Sequence, residues 1–384
     1  MSNAAVSVLS IGDLILDVPG VARYFEPTRA LFATGDMRVC QVEVAHTLRG
    51  QWSNPEPNSA PGADPVNLAV LGVLGFDVAT LGGNHIFDQG AFGVRDTLDA
   101  LHGLGVATAG AGMNYDEAKR PAVVEKKGLR LAVLEYNCVG PDLSWATPLK
   151  AGCAFLKVRT YYDMDRCGPG TAPSAVYAVA DPASVRAMAE DVRRAKADAD
   201  AVLCYFHAGR MCSSRILPYQ REIAHAAIDA GADLVGCHHT HALLGVEVYR
   251  GRPVFHGLGH YVAVSDAFEP GSPIEAQHRF DPFGDAATRP YWQIDYRLPD
   301  PPIPYYVFDE SSRHTMIARA NITRRGVASA SIIPAWIDGR GMPVPVTREH
   351  GGEAFMAFMK GLCEAGGLDT ALSWNDAGTE IIVL

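Results

Sequence analysis

Short apolar runs closed by polar residues recur along this chain, and their spacing predicts a layered α/β fold. Residues 6–11 make a β-branched run that ends at Gly12-Asp13, and residues 37–44 make a second with Gln41 and Glu43 inside it. Runs of this length suit buried strands. A helix is expected over 64–74, a strand over 76–81, a helix over 93–104 and a strand over 106–109. A hairpin of 122–125 and 129–135 follows, joined through Lys126-Lys127-Gly128. Strand alternating with helix is the order of a core whose sheets are flanked by helices. The rhythm lapses over 138–178, a stretch rich in Pro, Gly and aromatic residues that reads as a substrate lid or as a surface decoration. It resumes with a helix opened by Asp181-Pro182 and running to about 197, a strand over 201–206, a helix over 219–230, an apolar run over 232–235 and a hairpin of 245–249 and 253–258. Residues 265–312 read as a Pro-rich connection, followed by a hairpin of 314–323 and 327–334, a helix over 353–364 and a closing strand over 380–383. On this reading residues 1–264 form a core carrying the 138–178 insertion. Residues 265–384 wrap that core and pack a hairpin-helix-strand extension on it.

Composition narrows the function classes. With 384 residues, 48% apolar and 20% charged, the chain can bury a large core. No run approaches the roughly 20 apolar residues of a membrane helix. The N-terminus enters its first strand without a charged leader, so the expected compartment is the cytoplasm and no membrane partner is expected. A net charge of −10 argues against nucleic acid as the main partner, because phosphate binding relies on clustered Lys and Arg. The eight cysteines are scattered without a C-x-x-C pair, as reduced thiols would be. Cys237, beside a group of histidines, reads as a ligand or as a small strand residue.

That group is the densest chemical signal. His207, His225, His238, His239, His241, His256 and His260 are seven of the thirteen histidines, and several follow the C-terminal ends of apolar runs, where crevices of open α/β sheets form. His239 and His241 flank Thr240, so in extended chain both rings project to one side; His225, on its helix, is assigned to packing or solvent. Glu43 is costly to bury unless paired or metal-bound. Within Gly82-Gly83-Asn84-His85-Ile86-Phe87-Asp88-Gln89-Gly90, Asn84 offers a metal an amide oxygen, and His85 offers a leaving group a proton, with Asp88 orienting its ring. The same residues would also serve as caps of a strand-to-helix turn. Asp13, Glu43, Asn84, His207, His239 and His241 together are the carboxylate, amide and imidazole set that a two-metal hydrolytic site requires.

The series GD, a buried glutamate, GNHxxDxG, HxG, GADLV followed by HxH, and LGVEVYRGRPVFHGLG resembles the CapA family, named for poly-γ-glutamate capsule synthesis, of the calcineurin-like metallophosphoesterase superfamily. The resemblance implies a metallophosphoesterase-like layered core. It implies Asp13 and His241 as ligands of one metal, Glu43 as the bridge, Asn84, His207 and His239 as ligands of the second, and His85 with Asp88 as the acid. The expected cofactor is one or two divalent ions, for which this ligand mixture suits Mn, Fe, Zn or Co. Ile15 stands where the superfamily's D-x-H motif has its histidine, leaving the first metal a ligand short. Further departures are Gln41 in place of the asparagine of N-x-E, Ala208, Arg210 and Met211 after the H-x-G histidine, Thr240 where a proline is usual, and His260 where an asparagine is usual. They imply retained metal chemistry and a changed substrate pocket. Arg210 and Arg215 read as anion-binding side chains or as exposed loop charges, and His260 as a further substrate contact. The expected activity is water attack on a phosphoester or amide bond, γ-glutamyl among the latter, of a small or anionic oligomeric substrate. The alternative is a non-catalytic capsule-assembly or binding protein keeping the fold. A structural zinc protein would call for cysteine-rich closed ligation.

Overall fold

Two sheets face each other across an apolar cluster that draws Val8, Val39 and Met316 from one and Leu131, Leu203 and Leu234 from the other. The computed structural model describes residues 5–50, 60–162, 176–268, 299–306 and 308–384. Cys167 with the rest of 163–175, and 269–298 of the expected connection, lie outside the described residues. In the first sheet the strand order is Leu372–Trp374, Ile381–Val383, Gly326–Ile337, His314–Thr323, Val6–Asp17, Met37–Val42, Val78–Thr80 and Ala107–Ala109. In the second it is Val246–Tyr249, Arg252–Phe255, Leu234–His238, Ala201–His207, Leu129–Asn137 and Ala122–Lys126.

Helices cover both outer faces. Ala69–Leu74 and Gly90–Gly103 pack on the first sheet through Leu71, Val94 and Leu101. Pro182–Asp198 and Pro218–Ala230 pack on the second through Val192, Ile223 and Ala227. Asp181 caps the longer of these by accepting from the Ala183 and Ser184 amides, with Pro182 placed where the missing N–H costs nothing. Gly352–Ala365 closes one end by inserting Phe355, Met356 and Met359 into the cluster between the sheets. The fold is the layered α/β arrangement that the apolar pattern predicts.

The first strand departs from expectation. It does not end at Gly12-Asp13 but runs on to Asp17, because it has different partners along its length. Its first half pairs antiparallel with His314–Thr323, and its second half pairs parallel with His260–Ser265. The register shifts where partners change, and Gly12 lies there: a Cβ on it would fall 2.1 Å from the Gly259 carbonyl oxygen. Asp13 is therefore buried inside the sheet rather than at its tip. The expected helix over 64–74 is a 3-10 turn, Pro65–Leu68, capped by Asp64 and followed by the α-helix. The described part of the 138–178 insertion folds back on the core. Gly152–Cys153 pairs with Ala111–Gly112, and Val158–Tyr162 pairs with Val176–Ala180.

Candidate metal centre

Parallel strands of both sheets end on one side, and there the polar residues collect. His207 ends Ala201–His207, and His238 ends the neighbouring Leu234–His238. Asp13 comes from the first strand, Glu43 immediately follows Met37–Val42, and Asn84 and His85 follow Val78–Thr80 within the turn into Gly90–Gly103. The side chains of Asp13, Glu43 and His207 are at most 1% exposed.

The extended geometry expected of His239-Thr240-His241 is not what brings those rings together. Both histidines have positive φ, 81° and 48°, so the chain turns sharply after His238. Such angles are strained for side-chain-bearing residues and persist only where surroundings enforce them. Here Asp13 Oδ2 accepts from the His239 amide at 3.0 Å, the Thr240 hydroxyl donates to the Ala242 carbonyl, and the Thr240 carbonyl accepts from the Cys212 amide.

The donor atoms form two groups sharing one carboxylate. Glu43, His207 and His239 make one, and Asp13, Glu43 and His241 the other, each with ligand atoms within 4.8 Å of one another. Glu43 Oε1 lies 3.2 Å from His241 Nε2 and 3.9 Å from His207 Nε2. His207 Nε2 is 2.7 Å from Asn84 Oδ1 and 3.2 Å from His239 Nδ1. Asp13 Oδ1, both Glu43 carboxylate oxygens and His241 Nδ1 are buried and make no hydrogen bond. Burial pushes Asp13 well above the usual carboxylate range, with Glu43 adding to it, and raises Glu43 to about 7. Burial and neighbouring imidazoles hold His239 and His241 at about 3, and burial then His239 takes His207 well below its ordinary value. Carboxylates this costly to ionise and imidazoles kept neutral are what a divalent cation would stabilise. The residues present therefore fit a metal.

His85 has a different setting. Its Nδ1 lies 2.6 Å from Asp88 Oδ2, an oxygen that also accepts from the Ala60 amide at 2.7 Å, while the ring keeps 21% exposure. Burial disfavours the His85 cation, but the Asp88 carboxylate outweighs it and the imidazole is raised above its ordinary value. The outer wall on the His241 side is apolar: Phe308 stacks on His241 at 4.2 Å and on His260 at 4.6 Å, with Ile15 and Met211 packed in the same cluster.

Other expected residues fall elsewhere. His260, expected as a substrate contact, is fully buried and packs against His241, Tyr306 and Phe308. Arg210 and Arg215 are exposed on the loop after His207. Cys237 is buried in its strand among apolar residues. His225 is not simply packed or solvated: it bonds Glu247 at 2.8 Å and stacks on Tyr249. A further buried pair joins strands distant in sequence. His238 Nδ1 lies 3.1 Å from Glu135 Oε1, and Glu135 Oε2 accepts from the Gly82 amide, so the pair ties the second sheet to the turn that carries Asn84 and His85.

The family profile described as "Bacterial capsule synthesis protein PGA_cap" matches residues 9–265, the span from the first strand through the histidine turn. The chain belongs to this family. It is 29% identical over 234 residues to a probable polyglutamine synthesis accessory protein of Mycobacterium tuberculosis, covering 59% of this chain and 55% of that protein. It is 26% identical over 270 residues to the PGA biosynthesis protein CapA of Bacillus subtilis, covering 68% of this chain and 64% of that protein. The chain thus spans somewhat over half the length of these relatives. Among solved structures, a hypothetical protein from Thermus thermophilus superposes with a TM-score of 0.43 at 17% identity, covering 88% of this chain and 96% of the other. Among the described residues no helix is long and apolar enough to cross a membrane.

Proposed function

We propose that this PGA_cap-family chain is a metal-dependent hydrolase acting on a phosphoester or amide bond of a small or anionic oligomeric substrate, in the cytoplasm. The observation that carries the reading is the convergence of Asp13, Glu43, Asn84, His207, His239 and His241, with buried carboxylate oxygens that have no other partner. Glu43, common to both donor groups, is the residue that would be shared between two ions. A divalent ion held there, of the Mn, Fe, Zn or Co class, supplies Lewis acidity and lowers the pKa of water. His85 holds a proton toward the leaving atom, and Asp88 fixes its ring and favours its charged form. The Asp13 side has three protein ligands and an isoleucine at position 15, whereas the His207 side has four, so we expect a metal content between one and two per chain, with the His207 site filled first. The names of the relatives, with polyglutamine synthesis in one and PGA biosynthesis in the other, favour an amide over a phosphoester. The word accessory in one of those names also favours a second reading, a binding or assembly protein that keeps the metal without turning over substrate.

One experiment separates them. Elemental analysis of wild type and Glu43→Ala is paired with a screen of phosphoester and γ-glutamyl substrates. Metal and hydrolysis present in wild type and both lost in the variant are the expected result. Metal without hydrolysis across the screen would favour the binding reading, and wild type purified and reconstituted without retained metal would overturn both.

A further inference from the structure

Gln41 is fully buried near the end of Met37–Val42, opposite Asp13 on one side and Thr80 on the other, and neither atom of its amide has a hydrogen-bond partner. A buried polar group left unsatisfied is destabilising, so a side chain of this kind calls for a partner. The nearest landmark is Gly83. A Cβ on Gly83 would lie 2.8 Å from Gln41 Nε2, 3.4 Å from His207 Cε1 and 3.6 Å from His207 Nδ1, so all three meet at one slot that the glycine keeps open. His207 Nδ1 is itself buried without a hydrogen bond, while Nε2 of the same ring faces Asn84, His239 and Glu43.

An imidazole that ligates a metal through Nε2 carries its remaining proton on Nδ1, and a second acceptor for that N–H fixes the tautomer and the ring's orientation. Neither atom of the Gln41 amide bonds His207 Nδ1, so an exchange of its oxygen and nitrogen goes together with a small shift of the side chain into the slot. We infer that Gln41 is a positioning residue: its amide oxygen accepts the Nδ1–H of His207 and keeps Nε2 turned toward the metal. The inference rests on the metal reading above and goes beyond it by assigning work to a residue that is neither ligand nor acid.

The test uses the full chain and zinc alone as probe. Zinc affinity is measured by competition with a chromogenic chelator for wild type, Gln41→Met, Gln41→Glu and Glu43→Ala. The His207 Nδ1–H is followed by NMR in the zinc-loaded, ¹⁵N-histidine-labelled protein. Gln41→Met, which keeps bulk and removes the acceptor, should weaken zinc binding about 10- to 100-fold and speed exchange of the Nδ1 proton. Gln41→Glu keeps an acceptor and should stay within a few-fold of wild type. Unchanged affinity and a protected Nδ1–H in Gln41→Met would overturn the inference. Should Gln41→Met not fold, the wild-type spectrum decides alone, because a His207 Nδ1–H that exchanges as fast as an exposed histidine's, such as His350's, is equally fatal. Wild type that fails to bind zinc, or Glu43→Ala that binds it equally well, overturns the metal reading itself.

Discussion

His85 separates a catalytic from a purely ligating account of the site. It follows Asn84, pairs with Asp88 and retains solvent access, and unlike His207, His239 and His241 it belongs to neither group of candidate ligand atoms. A proton donor acts mainly in the transition state, so His85→Asn should lower kcat by roughly 10²- to 10⁴-fold while metal content and KM change little. Steady-state kinetics and elemental analysis on the same variant check this, and loss of metal together with activity would make His85 a support instead. Glu43 was legible from sequence by a simple rule: a carboxylate in an apolar strand needs a reason. Glu135, within the apolar strand Leu129–Asn137, meets the same rule, but no histidine stands near it in sequence to mark it. Its partner His238 lies 103 residues away, a pairing that only the fold brings together.

At the scale of elements, strands and helices were legible because burial imposes period two or 3.6 on the sequence, and turns were less so. The H-x-H pair reads as extended chain because alternation is the default of a strand; the positive φ values come from Asp13 and Cys212, which arrive from distant elements. The helix Pro218–Ala230 and the hairpin Val246–Tyr249/Arg252–Phe255 show the same limit. Glu247 joins them by bonding His225 and His256, each at 2.8 Å, with Arg221 at 4.0 Å. Burial opposes the Glu247 carboxylate, but hydrogen bonds from His256 and then His225 outweigh it and bring the group from 4.5 to about 2. A carboxyl with a depressed folded value adds stability that is complete above its unfolded value and fades as pH falls. Glu247→Gln should therefore cost about 1–2 kcal/mol at neutral pH, a figure kept low because Glu247 remains in part solvated. Urea midpoints for variant and wild type should converge as pH drops from about 4.5 toward 2, and a constant gap over that window would show that the cost is packing rather than charge.

The whole molecule is completed from its C-terminal side. The family match ends at residue 265, yet the strand that carries Asp13 takes its antiparallel partner from His314–Thr323, with Val6 opposite Ile322 and Ile11 opposite Ile317. Without that partner, half of the Val6–Asp17 strand would present unpaired N–H and C=O groups at a sheet edge, and Met316, Ala318 and Ile322 would be missing from the cluster between the two sheets. The helix Gly352–Ala365 would also no longer close that cluster. A chain ending at residue 313 should accordingly lose cooperative unfolding, bind an apolar dye and retain no metal, because Asp13 loses its fixed position along with the strand. A single substitution tests the same point without truncation. Ile322 is fully buried, and Ile322→Ala should cost about 2–5 kcal/mol by lost transfer energy and cavity formation, lowering the midpoint in denaturant while leaving metal content at wild-type level under native conditions. The two results together decide the role of the segment. A shortened chain that melts cooperatively and holds metal would mean that the part before residue 314 folds and builds its site without the extension. A destabilised Ile322→Ala that still binds metal, beside a shortened chain that does not, would mean that the family-matched part needs this extension to build its site.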